Sequence, residues 1–283
     1  MARVPACITV IEAVGYLAVW AGLYAVGCVL FVCGVLGVSV QWRPLAIAML
    51  VTTGTYLLDR LGGWSARPDR ADLASVPARV RFLRRRMPRP RTVAVGLLVL
   101  GLALASTEGW LVVVMVPAAV VGMMVYGHLP HGGRLKDRLL LKNAAVAVSM
   151  TGMAVVLVLA AAAPIDPLAW FIAGGLLLLH VLAGAMLCDL DDRQADLRHG
   201  TRTLPNAVGP AATWWVADVL VIAAGALVML SHAQGWIDSP NAVPLAMLPA
   251  AAVLLLHLLR PKAVRDLVDL AFPVAVVLAM FAR

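Results

Sequence analysis

Charge is what this sequence has least of. Asp, Glu, Lys and Arg make up 13% of 283 residues, against 62% hydrophobic, a balance that excludes an ordinary soluble domain. Lysine is nearly missing, with three residues against 20 arginines; with the excess of Ala and Val this hints at a GC-rich bacterial genome. Cysteine is sparse as well. Cys7, Cys28, Cys33 and Cys188 have no metal-binding spacing and lie in or beside apolar runs, so they are packing residues rather than a zinc or disulfide framework. There is no Ser/His/Asp or Cys/His constellation and no glycine-rich nucleotide loop, which leaves covalent catalysis and nucleotide binding without a carrier. A cleavable signal peptide is not expected either: one Arg precedes the first apolar run, and that run is too long for the purpose.

Long apolar stretches are what the chain does have. Nine are expected to be membrane-crossing helices, at 15–38, 42–60, 92–107, 109–127, 141–163, 167–188, 207–230, 242–259 and 265–282, each near the ~20 residues a bilayer requires. The expected architecture is therefore all-α and polytopic, one transmembrane domain over 1–283 with nine helices around a central cavity.

The cations orient it. Ten of 23 Lys and Arg lie in 60–91, four in 134–142, three in 193–202 and three in 260–265, while the connections near 107, 165 and 238 carry none. Basic loops stay in the cytoplasm, so the N-terminus is expected inside and the C-terminus outside, in the inner membrane of a bacterium. The net charge of +8 is then a topology signal first and an attraction to anionic lipid or substrate second. Nucleic-acid binding is not expected without a soluble domain.

At the cytoplasmic end of the sixth stretch stands Asp-Leu-Asp-Asp-Arg-Gln-Ala-Asp-Leu, 189–197, followed by Arg-His-Gly-Thr-Arg-Thr-Leu-Pro, 198–205. Carboxylates at a membrane boundary are costly unless they hold something. On a helix Asp189, Asp192 and Asp196 share one face, spaced i, i+3, i+7, and Asp191 falls roughly 100–200° away. Three convergent oxygen donors suit a hard divalent ion, above all Mg2+ carrying a phosphate-bearing ligand; the plainer alternative is a solvated acidic patch. A second acidic end, Gly-Thr-Tyr-Leu-Leu-Asp-Arg at 54–60, echoes Gly-Ala-Met-Leu-Cys-Asp at 184–189. Both stretches run from outside to inside, so Asp59 and Asp189 should reach the same depth.

The third cytoplasmic connection supplies cations and polar groups: Tyr126, His128, Arg134, Lys136, Arg138, Lys142 and Asn143. The lysines can meet phosphate as point charges and Arg138 as a fork; read singly, they are only positive-inside residues. Together with carboxylate-held Mg2+ they would stabilise the charge that builds on a leaving diphosphate. An apolar interior would house a lipid-length tail.

The 189–205 segment resembles the second aspartate motif of the UbiA superfamily of intramembrane prenyltransferases, Asp-x-x-Asp-x-x-x-Asp followed by Gly and Thr-Leu-Pro. Asp189, Asp192, Asp196, Gly200, Thr203, Leu204 and Pro205 all match. Asp59-Arg60, Arg67-Pro68, Tyr126 and the stretch 135–143 look like the corresponding family segments. The resemblance implies a prenyltransferase moving an isoprenoid chain from a polyprenyl diphosphate to a small lipophilic or aromatic acceptor in the bilayer. It implies Mg2+ as cofactor, with Asp59, Asp189, Asp192 and Asp196 as the catalytic, metal-holding set. Diphosphate would be held by Lys136, Arg138 and Lys142, with Arg60, Tyr126 and Asn143 assisting.

One departure stands out. Of the family's first motif, Asn-Asp-x-x-Asp-x-x-x-Asp, only the middle Asp is present, as Asp59; Thr55 and Tyr56 replace the Asn-Asp pair and Gly63 the last Asp. The first metal site should be the weaker one, unless Asp69 and Asp72 in the following loop replace what is missing. The departure also admits two other readings: a terpene cyclase with no acceptor, and a catalytically silent isoprenoid-binding protein. Elsewhere His180 is expected to face away from the acids and to pack. Asp218, inside the seventh stretch, must pair or protonate, either to take a proton from an acceptor or to bond a neighbouring helix. His257, Trp214, Trp215 and Trp236 fit interfacial or packing positions.

Overall fold

The computed structural model describes residues 10–62, 76–85, 89–127, 138–262 and 264–282. Among them every regular element is helical: α1 (Val10–Tyr16), α2 (Val19–Leu36), α3 (Trp42–Arg60), α4 (Pro77–Arg85), α5 (Pro90–Ala105), α6 (Trp110–Gly127), α7 (Leu141–Ala161), α8 (Pro167–His199), α9 (Leu204–Ala207), α10 (Pro210–Ala233), α11 (Ala242–Leu259) and α12 (Val264–Phe281). Each of the nine expected spans contains a helix. Five, α2, α7, α8, α10 and α11, are long and apolar enough to cross a membrane, and α5 and α6 are shorter apolar helices. The first span is interrupted where expectation had it continuous: Ala18 takes a left-handed conformation, φ 62°, between α1 and α2.

The ends of the long helices are written in the sequence. Asp166 caps α8 by accepting from the Leu168 amide, and Pro167 occupies the first helical position, where no N–H is needed. At the far end Gly200, φ 75°, closes the helix with its amide on the Asp196 carbonyl; the positive φ favours glycine. α8 therefore has 33 residues, about 50 Å at ~1.5 Å per residue. That exceeds a ~30 Å hydrocarbon layer, so the turns after Cys188 stand beyond it.

In the packing, α2 and α8 lie in the middle, with α3, α7, α10, α11 and α12 against one or both, and α5 and α6 outside α3. Hydrocarbon offers no hydrophobic drive for helix association, so close approach through small residues matters. A Cβ on Gly22 would lie 2.3 Å from Thr53 Oγ1, and one on Gly54 would lie 3.0 Å from the Ala94 carbonyl. These two glycines seat α3 between α2 and α5 and so fix where its acidic end emerges. Outward, Phe171, Leu258 and Phe281 are among the most exposed large side chains, as a lipid-facing surface requires.

Candidate active site

The continuous helix α8 carries Asp189, Asp192 and Asp196 through successive turns, so the i, i+3, i+7 face exists as a helical face. Asp189 and Asp196 are buried, at 2% and 4% exposure, and Asp192 is half-buried. Each meets a cation from another helix. Lys142, on the first turn of α7, places its Nζ 2.7 Å from Asp189 Oδ1 and 3.8 Å from Asp196 Oδ2. Its neighbour Asn143 donates to Asp189 Oδ2 at 3.0 Å. Asp192 is paired with the Arg265 guanidinium from the start of α12. Burial pushes the Asp196 carboxyl up to about 6, with Lys142 pulling the other way.

Asp191 has its own work, as its position off the shared face suggests. Its Oδ2 accepts the Arg265 amide at 2.8 Å and its Oδ1 the Val264 amide at 3.2 Å. A carboxylate there satisfies free N–H groups at the helix start and opposes its positive dipole end. Thus α8 caps α12, and the same contact sets the backbone from which Arg265 reaches Asp192.

The second acidic end comes to the same region. The Tyr126 hydroxyl, closing α6, lies within electrostatic range of Asp59 on α3 and of Asp189 and Asp196 on α8. Tyr56, one turn before Asp59, is in range of Asp59 and also of Asp269 on α12. Asp269 in turn accepts from the Cys188 thiol at 3.8 Å and is within range of both Arg60 and Arg265. Arg60 turns toward α1, donating to the carbonyls of Gly15 and Tyr16. Arg138 is exposed in the turn before α7. Lys136, Gly63, Asp69 and Asp72, together with His128 and Arg134, lie outside the described residues.

Sequence reasoning missed Arg265 and Asp269. Arg265 was hidden among the topology-setting cations at 260–265. The available signal was the pair Asp266 and Asp269 inside the last apolar stretch, a costly placement in a membrane helix.

The donor set fits magnesium in kind. Among the described residues no three His, Cys, Asp or Glu side chains stand close enough to hold a metal as they are; Lys142 and Arg265 are engaged with the carboxylates instead. Yet Asp196 Oδ2 and Asn143 Oδ1 are buried with no hydrogen-bond partner, as is Thr55 Oγ1, four residues before Asp59. Oxygen atoms without donors, on an all-oxygen set, suit a hard cation.

Tyr24, His180, Gly184, Val253, Val268 and Phe272 are among the residues lining a narrow, partly open apolar cleft of about 20 Å3. His180 faces away from Asp189, as its spacing requires, but it is not fully satisfied: neither ring nitrogen has a hydrogen-bond partner, and the Ala246 carbonyl is near without bonding geometry. Asp218 is far better provided. It accepts from His257 Nδ1, and Trp214 stacks on that imidazole at 5.2 Å and 7° while Trp215 meets it edge-on. Of the two roles open to Asp218, the bond to a neighbouring helix is the one formed.

A model of the UbiA prenyltransferase family matches residues 86–275. Solved structures resemble the whole chain. The apo structure of a UbiA homolog from Aeropyrum pernix K1 has a TM-score of 0.64 at 14% identity, covering 97% of this chain and 98% of that one. A UbiA homolog from Archaeoglobus fulgidus bound to GPP and Mg2+ has a TM-score of 0.60 at 13% identity, covering 96% and 98%. A digeranylgeranylglyceryl phosphate synthase has a TM-score of 0.53 at 14% identity, covering 93% and 97%. At these identities the likeness is one of fold. No curated protein matches.

Proposed function

The chain belongs to the UbiA prenyltransferase family, and from that premise we propose that it is a magnesium-dependent intramembrane enzyme transferring an isoprenoid chain from a polyprenyl diphosphate to a small lipophilic acceptor. The observation that carries the reading is the ion cluster at the end of α8: three carboxylates, two of them buried, each engaged by a cation from another helix. Such a cluster is costly to assemble for stability alone. It is well suited to hold an ion and a polyanion in exchange for its own partners. The A. fulgidus homolog bound to GPP and Mg2+ supports the donor class.

In this reading Asp189, Asp192, Asp196 and Asp59 would hold magnesium, whose charge would stabilise the departing diphosphate. Lys142, freed from Asp189 and Asp196, turns its ammonium to the diphosphate, assisted by Asn143, Tyr126 and the cations at 136 and 138. The allylic carbon–oxygen bond breaks, the electron pair leaves with diphosphate, and the carbon is captured by the acceptor, which gives up a proton. The apolar helices exclude water from the cation.

Purified protein incubated with allylic diphosphates of several lengths should release pyrophosphate only with Mg2+, and Asp192→Ala should abolish release. Extracted products distinguish prenylated acceptor from cyclic terpene. If no donor is bound or ionised in any condition, a silent isoprenoid-binding protein is the correct description.

A further inference from the structure

The geometry points to Arg265 as a diphosphate-binding residue held in reserve on Asp192, standing in for the cation that the shortened first acidic motif no longer holds. The inference rests on the prenyltransferase reading and adds to it a residue that neither acidic motif contains.

Three observations carry it. First, Arg265 is built into place rather than lying near by accident. Asp191 accepts the backbone N–H of Arg265 and of Val264 before it, the Cys188 carbonyl accepts from Nη2 at 3.2 Å, and the same nitrogen pairs with Asp192. Its side chain remains 25% exposed and that of Asp192 19%, so the pair borders the opening rather than the sealed interior. Second, the arrangement repeats what Lys142 does on Asp189 and Asp196. Two cations from two helices occupy the carboxylates meant for a metal. When those carboxylates turn to magnesium, both cations lose their partners within reach of the same space, and a diphosphate supplies new ones. Guanidinium suits this exchange, because its fork meets two phosphate oxygens at once.

Third, the charge balance asks for it. α3 offers Asp59 alone where the family's first motif has an Asn and three acids, with Thr55 and Tyr56 in place of the Asn-Asp pair and Gly63 in place of the last Asp. Fewer acidic ligands hold fewer metal charges, and a diphosphate bound beside a single well-held ion leaves negative charge to neutralise. A fixed guanidinium on α12 provides it. Asp269, one turn further along and in range of Arg60 and Arg265, gives the freed guanidinium a second anchor on its own helix, so it need not swing far.

The test uses the full chain in detergent, with Mg2+ alone and inorganic pyrophosphate as probes in calorimetry. Arg265→Gln should weaken Mg2+-dependent pyrophosphate binding about 10- to 100-fold, as loss of a charged hydrogen-bonding partner does. Binding of Mg2+ alone should be unchanged or tighter, because Asp192 is released. Arg260→Gln, at an exposed neighbour, should alter neither. A guanidinium that only ties α12 to α8 would lower thermal stability and leave pyrophosphate affinity as it was, and that result overturns the inference. If Arg265→Gln does not fold, phenylglyoxal labelling of the unaltered protein decides by mass spectrometry. Mg2+ should speed modification of Arg265, and Mg2+ with pyrophosphate should suppress it; labelling indifferent to pyrophosphate overturns the assignment. Should the unaltered chain bind no pyrophosphate at all, the prenyltransferase reading fails first and the two failures stay separate.

Discussion

Lys142 Nζ stands 2.7 Å from Asp189 Oδ1, on a carboxylate that is 2% exposed. An ammonium and a carboxylate so placed each depend on the other, since a buried charge left alone is far costlier than the pair. Asp189 has Asn143 as its other partner, and a neutral amide cannot offset a whole charge.

Lys142→Met should therefore destabilise the metal-free protein by about 3–5 kcal/mol, the usual cost of stranding a buried ion. Mg2+ should recover much of that loss, because the abandoned carboxylates Asp189 and Asp196 are free to take it. Denaturation in detergent with and without Mg2+ measures both effects. Turnover should fall about 100-fold or more even when stability is restored, as for loss of a charge-stabilising donor. A variant that Mg2+ does not stabilise more than the unaltered protein would mean the carboxylates are not metal ligands.

Asp196 makes the site sensitive to pH. Its carboxyl keeps a proton up to about 6 in the folded protein, against about 4 in an unfolded chain. Between those values the folded state binds more protons, so this group's contribution to stability falls as pH rises from about 4 to about 6 and stays lost above. Magnesium binds the ionised form and reverses the penalty. The rise in melting temperature on adding Mg2+ should be larger at pH 7.5 than at pH 5, and Asp196→Asn should flatten the difference. A Mg2+ effect equal at both pH values would contradict the assignment.

Asp191 and Asp192 are neighbours with separate duties, which substitutions should expose. Asp191→Ala removes the cap from α12 and should cost about 1 kcal/mol, typical of a lost helix cap, while Asp191→Asn should lose one of the two amide contacts, since its NH2 cannot accept an N–H. Neither should weaken Mg2+ binding as much as Asp192→Asn. Titrating Mg2+ into the three variants ranks them, and an Asp191 effect as large as that of Asp192 would place Asp191 among the metal ligands.

How much of this was legible depends on whether one stretch of sequence contained the cause. Asp189, Asp192 and Asp196 could be placed on one face because a single period governs them, and Asp191 could be set apart by the same arithmetic. The helices themselves were legible because length and hydropathy are local. The break at Ala18 was not: no Gly or Pro marks it, and a non-glycine residue at positive φ is held by its surroundings. Arg60, expected to assist at the diphosphate, donates to the Gly15 and Tyr16 carbonyls, contacts that only the folded chain brings to it. Arg265 lies over 70 residues from Asp192, and its pairing was masked by the other basic residues around it. His257 read as an interfacial or packing residue, but its partner Asp218 became visible only when α10 and α11 came together.

That last pair yields a prediction about what Asp218 does not do. The carboxylate is buried, accepts from His257 Nδ1, and has one oxygen without a partner. The imidazole in turn is held between Trp214 and Trp215. Such an arrangement joins α10 to α11 and packs the imidazole that holds Asp218 against two rings. Asp218→Asn should therefore leave the rate of pyrophosphate release nearly unchanged while lowering the melting temperature. A double-mutant cycle with His257→Gln should give a coupling of about 0.5–3 kcal/mol, as for residues in direct contact. The pH profile discriminates further: a base that takes the acceptor's proton would lose turnover in Asp218→Asn most severely at the pH where it normally ionises. If turnover collapses in that variant while its melting temperature holds, the acceptor stands beside Asp218 and the clamp is part of the chemistry.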